Sequence, residues 1–191
     1  MAIEQAQRAG EPAGRFTGRL TALRAVCAAD LPRLKTWDDD PEIIALMGQR
    51  FGEISVQEWF QSVCAGRYCR AMAIETLAGR LIGEVELAHV NWRTGAAELR
   101  ICIGEKDCWS QGYGRDALAL ALQMAFREYG LRTIYLRVFA SNERAVRLYE
   151  RTGFRTEAML QPSARRDDPA PVLLMDLTRV RWERFQSRRV G

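Results

Sequence analysis

Trp109-Ser110-Gln111-Gly112-Tyr113-Gly114-Arg115-Asp116-Ala117 follows a strand-like run, Glu98 to Ile103, and opens a long helical pattern. The stretch reads as a turn built to hold phosphate. Glycines at 112 and 114 remove the Cβ atoms that would keep an anion away, and the first turn of the next helix presents unpaired N–H groups with the positive end of its dipole. Spacing separates the competing phosphate loops. A Walker pattern needs Gly, four residues, then Gly-Lys-Ser/Thr, which nothing here supplies. A dinucleotide fingerprint could use Ala117 as its third small residue, but it should open a parallel βαβ unit. The three strand signals upstream indicate an antiparallel sheet instead.

A second motif begins about thirty residues after Gly112: Asn142-Glu143-Arg144-Ala145-Val146-Arg147-Leu148-Tyr149-Glu150-Arg151-Thr152-Gly153-Phe154. It follows the apolar strand Thr133 to Phe139 and reads as a short helix, with Ser141 or Asn142 at its start and Gly153 as a left-handed C-cap.

Together the two motifs resemble the acetyl-CoA-binding core of the GNAT N-acetyltransferases. Within that family they are most similar to the RimJ/RimL ribosomal-protein acetyltransferases and their spermidine-acetylating relatives. The matching residues are Trp109, Gly112, Tyr113, Gly114, Asn142, Ala145, Tyr149, Gly153 and Phe154, and the resemblance runs from about Leu20 to Leu177. The commonest loop of the broad family places Gln or Arg where Trp109 stands, whereas the RimJ/RimL subgroup favours an aromatic residue there.

The rest of the chain agrees with an α/β fold. Leu20 to Ala25 reads as a strand, helical segments start at Asp30 and Asp40-Pro41-Glu42, and Ser55-x-x-Glu58 is a capping box. Cys69 to Glu75, Leu81 to Val90 and Ala96 to Ile103 then read as an antiparallel meander. Gln111 to Tyr129 is the long helix, joining two strands that should be parallel neighbours; strands near Phe154 to Met159 and Val172 to Leu177 follow. The expected architecture is a mixed, mostly antiparallel sheet of about seven strands with helices on both faces. The resemblance adds that the central pair splays apart. Residues 1–15 are expected to be a flexible tail, 16–180 a single acetyltransferase domain and 181–191 a C-terminal tail.

The resemblance also assigns the cofactor contacts. Backbone groups of Ile101, Cys102 and Ile103 would pair with the pantetheine arm, and Asn142 would hold its amide. Trp109, Gln111, Gly112, Tyr113, Gly114, Arg115 and Asp116 form the expected phosphate loop, with Arg144 meeting phosphate as a guanidinium can. Tyr149, whose phenol stays protonated at neutral pH, would protonate the leaving thiolate. Glu98 is the candidate base, provided that burial raises its pKa. Glu84 and Glu86 are its rivals; alternation puts both on one face, where they would attract a cationic acceptor. An N–H near Cys102 or Ile103 would hold the developing oxyanion. Asp38, Asp39, Asp40, Glu42 and Glu53 supply an acidic rim, while Trp37, Trp59 and Trp92 suit packing better than an acceptor cleft.

Composition narrows the function classes. With 191 residues, 48% hydrophobic and 27% charged, the chain suffices for one well-packed domain. A net charge of +4, without a clustered basic patch, gives nucleic-acid binding little support. No apolar run approaches a bilayer span of roughly 20 residues, and a hydrophobic signal core is lacking, so a soluble protein is expected. Five irregularly spaced cysteines suggest reduced thiols in cytoplasm and no metal site. Cys102 and Cys108 flank the loop, but no histidine lies near them in sequence to activate a thiol; the sole histidine, His89, reads as structural.

The expected function is transfer of acetyl from acetyl-CoA to a primary amine by direct attack, RimJ/RimL-like, with a protein N-terminal amine as acceptor. The alternatives are a polyamine or amine-antibiotic acetyltransferase and a non-catalytic acyl-CoA-binding module. No membrane or nucleic-acid partner is expected, and the fold favours self-association as a homodimer.

Overall fold

The computed structural model describes residues 14–48, 54–66, 69–162 and 171–190. Eight strands form one sheet: β1 (Phe16–Thr17), β2 (Thr21–Ala25), β3 (Arg70–Thr76), β4 (Leu81–Asn91), β5 (Ala96–Ile103), β6 (Thr133–Phe139), β7 (Arg155–Leu160) and β8 (Val172–Thr178). Their spatial order is β1-β2-β3-β4-β5-β6-β8-β7, and every pair is antiparallel except β5/β6. The eighth strand, beyond the seven expected, is β1: two residues paired to β2 through Phe16 and Thr17.

Period-2 alternation divides the sheet between two cores. Val85, Leu87, Ala97 and Leu99 pack on Leu118, Ala121 and Leu122 of α4 (Tyr113–Gln123). Ala71, Ala73 and Cys102 pack on the opposite side against α1 (Leu31–Asp38), α2 (Pro41–Met47) and α3 (Val56–Ala65). The register Ala73↔Glu84↔Cys102 and Ala71↔Glu86↔Arg100 places both carboxylates on this second face.

Local capping follows the sequence at Asp40, whose side chain accepts from the N–H groups of Glu42 and Ile43, and at the reciprocal Ser55/Glu58 box. Asp30 does not cap: its carboxylate takes both terminal nitrogens of Arg24 at 2.7 Å, and the helix starts one residue later, ahead of Pro32. The long helix is also shorter than expected. α4 ends at Gln123 and the chain continues as a π-helical turn, Met124–Glu128, in which the N–H of Tyr129 reaches the carbonyl of Met124.

The expected tail at 181–191 is corrected. Arg179–Val190 forms a helix, α6, because Trp182 is an apolar anchor within a polar run: it is 3% exposed and lies 5.2 Å from the ring of Phe126. Arg127 covers the outer side of that indole at 5.3 Å. Among the described residues no helix is long and apolar enough to cross a membrane, and no cluster of metal-ligating side chains occurs. Glu53 and Arg165 to Asp168 lie outside the described residues.

Candidate active site

β5 and β6 pair only at Ala96↔Thr133, Ala97↔Ile134 and Glu98↔Tyr135. Beyond Glu98 the strands diverge, so the edge of β5 from Leu99 to Ile103 faces a gap in the middle of the sheet. Unpaired backbone there is costly unless a ligand completes it. A cleft of about 1180 Å³ opens at this gap, and Ile101, Cys102 and Ile103 line it together with Trp109, Gly112, Gly114, Arg115, Asn142, Arg144 and Tyr149.

The loop geometry fits phosphate. Ser110 and Gly112 both have positive φ, +62° and +93°, which turns the chain sharply into α4. As N-cap, Gly112 offers no side-chain acceptor, and the first bond of the helix runs from Asp116 N to Gly112 O. The N–H groups of Tyr113, Gly114 and Arg115 precede it and have no intrahelical partner. These are the donors that a pyrophosphate would use.

Trp109, whose role in place of Gln or Arg the sequence left open, donates through Nε1 to the carbonyl of Ile103 at 2.6 Å, and its ring carries the Arg144 guanidinium at 4.3 Å. The side chains of three of the expected cofactor residues are engaged elsewhere. The Asp116 carboxylate is occupied: it accepts from the N–H groups of Arg19, Leu20 and Thr21 and from the Thr21 hydroxyl at 2.7–3.1 Å, tying the β1–β2 turn to α4. Gln111 points away, donating to the carbonyl of Asp107, and Tyr113 packs against the apolar core. Only the backbone of Tyr113 faces the phosphate position.

The Asn142 side chain is engaged at both ends. Its Oδ1 accepts from Ala145 N at 3.2 Å, capping α5 (Glu143–Glu150), and its Nδ2 donates to Leu46 O at 3.1 Å. It therefore bridges α5 to α2 across the cleft wall.

Tyr149, near the end of α5, is 7% exposed and packs edge-on against Phe154 with centroids 5.6 Å apart. Burial, and secondarily the neighbouring Cys102 sulfur, push its phenol well above the usual value. The group is a neutral donor facing the cleft, as protonation of a thiolate requires. Cys108 also lines the cleft, but burial raises its thiol pKa, which argues against a thiolate nucleophile.

Glu98 departs from the expected base. It is 3% exposed, and burial alone would raise its pKa. Arg137 Nε at 2.8 Å and Arg100 Nη2 at 3.0 Å more than offset burial, so its carboxyl is held below the ordinary range. Sequence reasoning missed Arg137, which lies on β6, 39 residues away; its only signal was a charged side chain in the middle of an otherwise apolar strand. Glu84 and Glu98 line the same cleft, with Glu86 between them on the sheet face.

Another wall of the cleft is built by α1 and α2. Trp37 lines the cleft and donates through its indole to Glu105 at 3.0 Å; a Cβ on Gly104 would stand 2.0 Å from its ring. The acidic rim is partly neutralised, since Lys106 pairs with Asp40 at 2.9 Å and Glu42 at 2.8 Å, and Lys35 pairs with Asp39. Trp59 is buried among the helices and Trp92 stacks edge-on with Tyr129, so neither lines the cleft.

A splayed parallel pair lies beside a glycine-capped helix, with a buried phenol lining the gap. The model for the Acetyltransferase (GNAT) domain matches residues 19–155, and the chain belongs to that family. GNAT acetyltransferases use acetyl-CoA, and the free N–H groups and open strand edge described above fit it. The spermidine N(1)-acetyltransferase of Vibrio cholerae serotype O1 is 36% identical over 91 residues, 48% of this chain and 52% of that enzyme. An uncharacterised N-acetyltransferase of Bacillus subtilis, YycN, is 52% identical over 44 residues, 23% of this chain and 28% of that protein. These matches span about half or less of the relatives' lengths. The crystal structure of spermidine N-acetyltransferase from Vibrio cholerae in complex with CoA and spermine superposes with a TM-score of 0.78 at 25% identity, covering 86% of this chain and 98% of that one.

Proposed function

We propose that this chain transfers acetyl from acetyl-CoA to a primary amine of a small polycation, the class to which spermidine and spermine belong. The observation that carries the reading is the buried carboxyl of Glu84, which lines the cleft opposite Cys102, with Glu86 two residues along on the same sheet face. A carboxyl held in the cleft wall suits a small cationic amine. Its support also includes the named acceptors of the similar enzymes, which favour a small amine over the ribosomal-protein N-terminus that the motif resemblance suggested.

Acetyl-CoA would supply the activated acetyl group and the thiolate leaving group. Tyr149 holds the proton for that thiolate, an N–H near Cys102 or Ile103 receives the carbonyl oxygen, and Arg115 and Arg144 face the phosphates. The experiment is acetyl-CoA-dependent release of free thiol with spermidine, spermine, an aminoglycoside and peptides copying ribosomal-protein N-termini. Turnover on the polyamines alone supports the reading. Turnover on peptides alone would replace it, and acetyl-CoA binding without turnover on any of them would make the chain a binding module.

A further inference from the structure

Glu98 lines not only the cleft but also a second hollow of about 590 Å³ on the same sheet face, and Arg137 and Leu160 line both. The only histidine in the chain, His89, stands in that second hollow. Its Nδ1 is 2.9 Å from Glu98 Oε2, while 64% of its side chain is open to solvent.

This contact is built by an irregularity. β4 and β5 are in regular register as far as Ala88↔Glu98, and the register then shifts before Asn91. Strict alternation after Ala88 would send His89 to the α4 side of the sheet. Instead its backbone has φ +51°, a left-handed conformation rare for a side-chain-bearing residue, and the ring comes back over Glu98. Because the two arginines keep Glu98 ionised, its carboxylate can only accept, so the facing nitrogen is Nδ1–H. In the neutral ring the lone pair is then on Nε2.

We propose that His89, oriented by Glu98, accepts the proton of the acceptor ammonium through water leading from the cleft into the second hollow. The proposal rests on the amine-acetyltransferase reading above. An N–H bond of the ammonium breaks, its proton enters the water path, and a new N–H bond forms at imidazole Nε2. The amine keeps the electron pair with which it reacts. The imidazolium, paired with the Glu98 carboxylate, returns the proton to bulk solvent through its exposed edge. Glu98 is thus a positioning residue. The other ionisable groups lining the hollow are Tyr135 and Arg137 on β6, Glu157 on β7 and Asp176 on β8, the last paired with Arg181 at 2.7 Å, while Arg100 on β5 shares Glu98 Oε2 with the ring.

Two measurements test this. Nitrogen-15 NMR of the single imidazole in the wild-type protein should show the neutral ring as the Nδ1–H tautomer; a dominant Nε2–H tautomer would overturn the proposal without reference to turnover. His89→Gln keeps a donor for Glu98 but cannot take a proton. It should lower kcat/KM at pH 7 by about 10²-fold and displace the rising limb of the pH profile, with KM for acetyl-CoA within about twofold of wild type. An unchanged rate and profile would overturn the proposal while leaving the acetyltransferase reading intact. Absence of wild-type turnover on every amine would instead remove the amine-acetyltransferase reading, and the proposal with it.

Discussion

The indole nitrogen of Trp109 donates a 2.6 Å hydrogen bond to the carbonyl of Ile103, the last residue of the splayed strand, while the face of the same ring carries Arg144. One side chain thus ties the end of the splayed strand to the helix that carries Arg144. Trp109→Phe keeps an aromatic face for Arg144 but removes the donor to Ile103. The expected cost is about 1 kcal/mol, roughly a fivefold rise in the acetyl-CoA Kd by isothermal titration calorimetry. Wild-type affinity in this variant would show that the hydrogen bond does not position the strand end.

Tyr149→Phe removes only the hydroxyl and leaves the packing on Phe154 in place. Thiol release should slow by about 10²-fold while acetyl-CoA affinity changes little. Equal loss of rate and affinity would mean that the residue is structural.

Gly112→Ala puts a Cβ on a residue with φ +93°, 3.3 Å from Leu20 Cδ1. A strain of about 1–2 kcal/mol follows from the left-handed backbone. Both the melting temperature and the acetyl-CoA affinity should fall, by calorimetry of the free and loaded protein. Gly114→Ala meets only ordinary contacts, at 3.5 Å or more, and should affect affinity more than stability.

Much of the site was legible because its signals are local. Gly112, Asn142 and the Ser55/Glu58 box announce themselves within four residues, and period 2 placed Glu84 and Glu86 on one face. What was hidden depends on partners distant in sequence. Asp116 looks like an ordinary first-turn acid, and nothing near it indicates that residues 19–21 will occupy its carboxylate. Glu98 looked like a base because burial was foreseeable and the flanking guanidinium of Arg137 was not. The helix after Thr178 was obscured by its charges, one buried tryptophan being too sparse a pattern to read.

Trp182→Ala tests how much that helix contributes. Loss of a fully packed indole should cost about 3–5 kcal/mol in urea-monitored unfolding. A change below about 1 kcal/mol would mean that the helix is not part of the cooperative unit.

Stability should depend on pH in one direction. The carboxyls of Glu98 and Glu105, ordinarily near 4.5, and of Asp30 and Asp116, ordinarily near 3.8, are all held lower in the folded protein. The unfolded chain therefore binds more protons through this range, and stability rises with pH there. The contribution is complete above about pH 5 and is lost as pH falls through the folded-state values. Urea midpoints measured from pH 3 to 7 should be flat at the upper end and drop below about pH 4.5. Asp116→Asn should flatten part of that drop; an identical profile would mean that the turn at residues 19–21 contributes no net linkage.

The amide of Asn142 holds Leu46 O with one end and caps the helix of Tyr149 with the other. Any molecule that displaces α2 therefore pulls on the first turn of the helix that carries Tyr149. An amine seated against α2 and a coenzyme beside Tyr149 would share that joint, so one order of arrival should be favoured. Initial-rate patterns would register this as a sequential scheme in which free coenzyme A competes with its acetylated form and not with the amine. Asn142→Ala would loosen that joint and make the order of addition random.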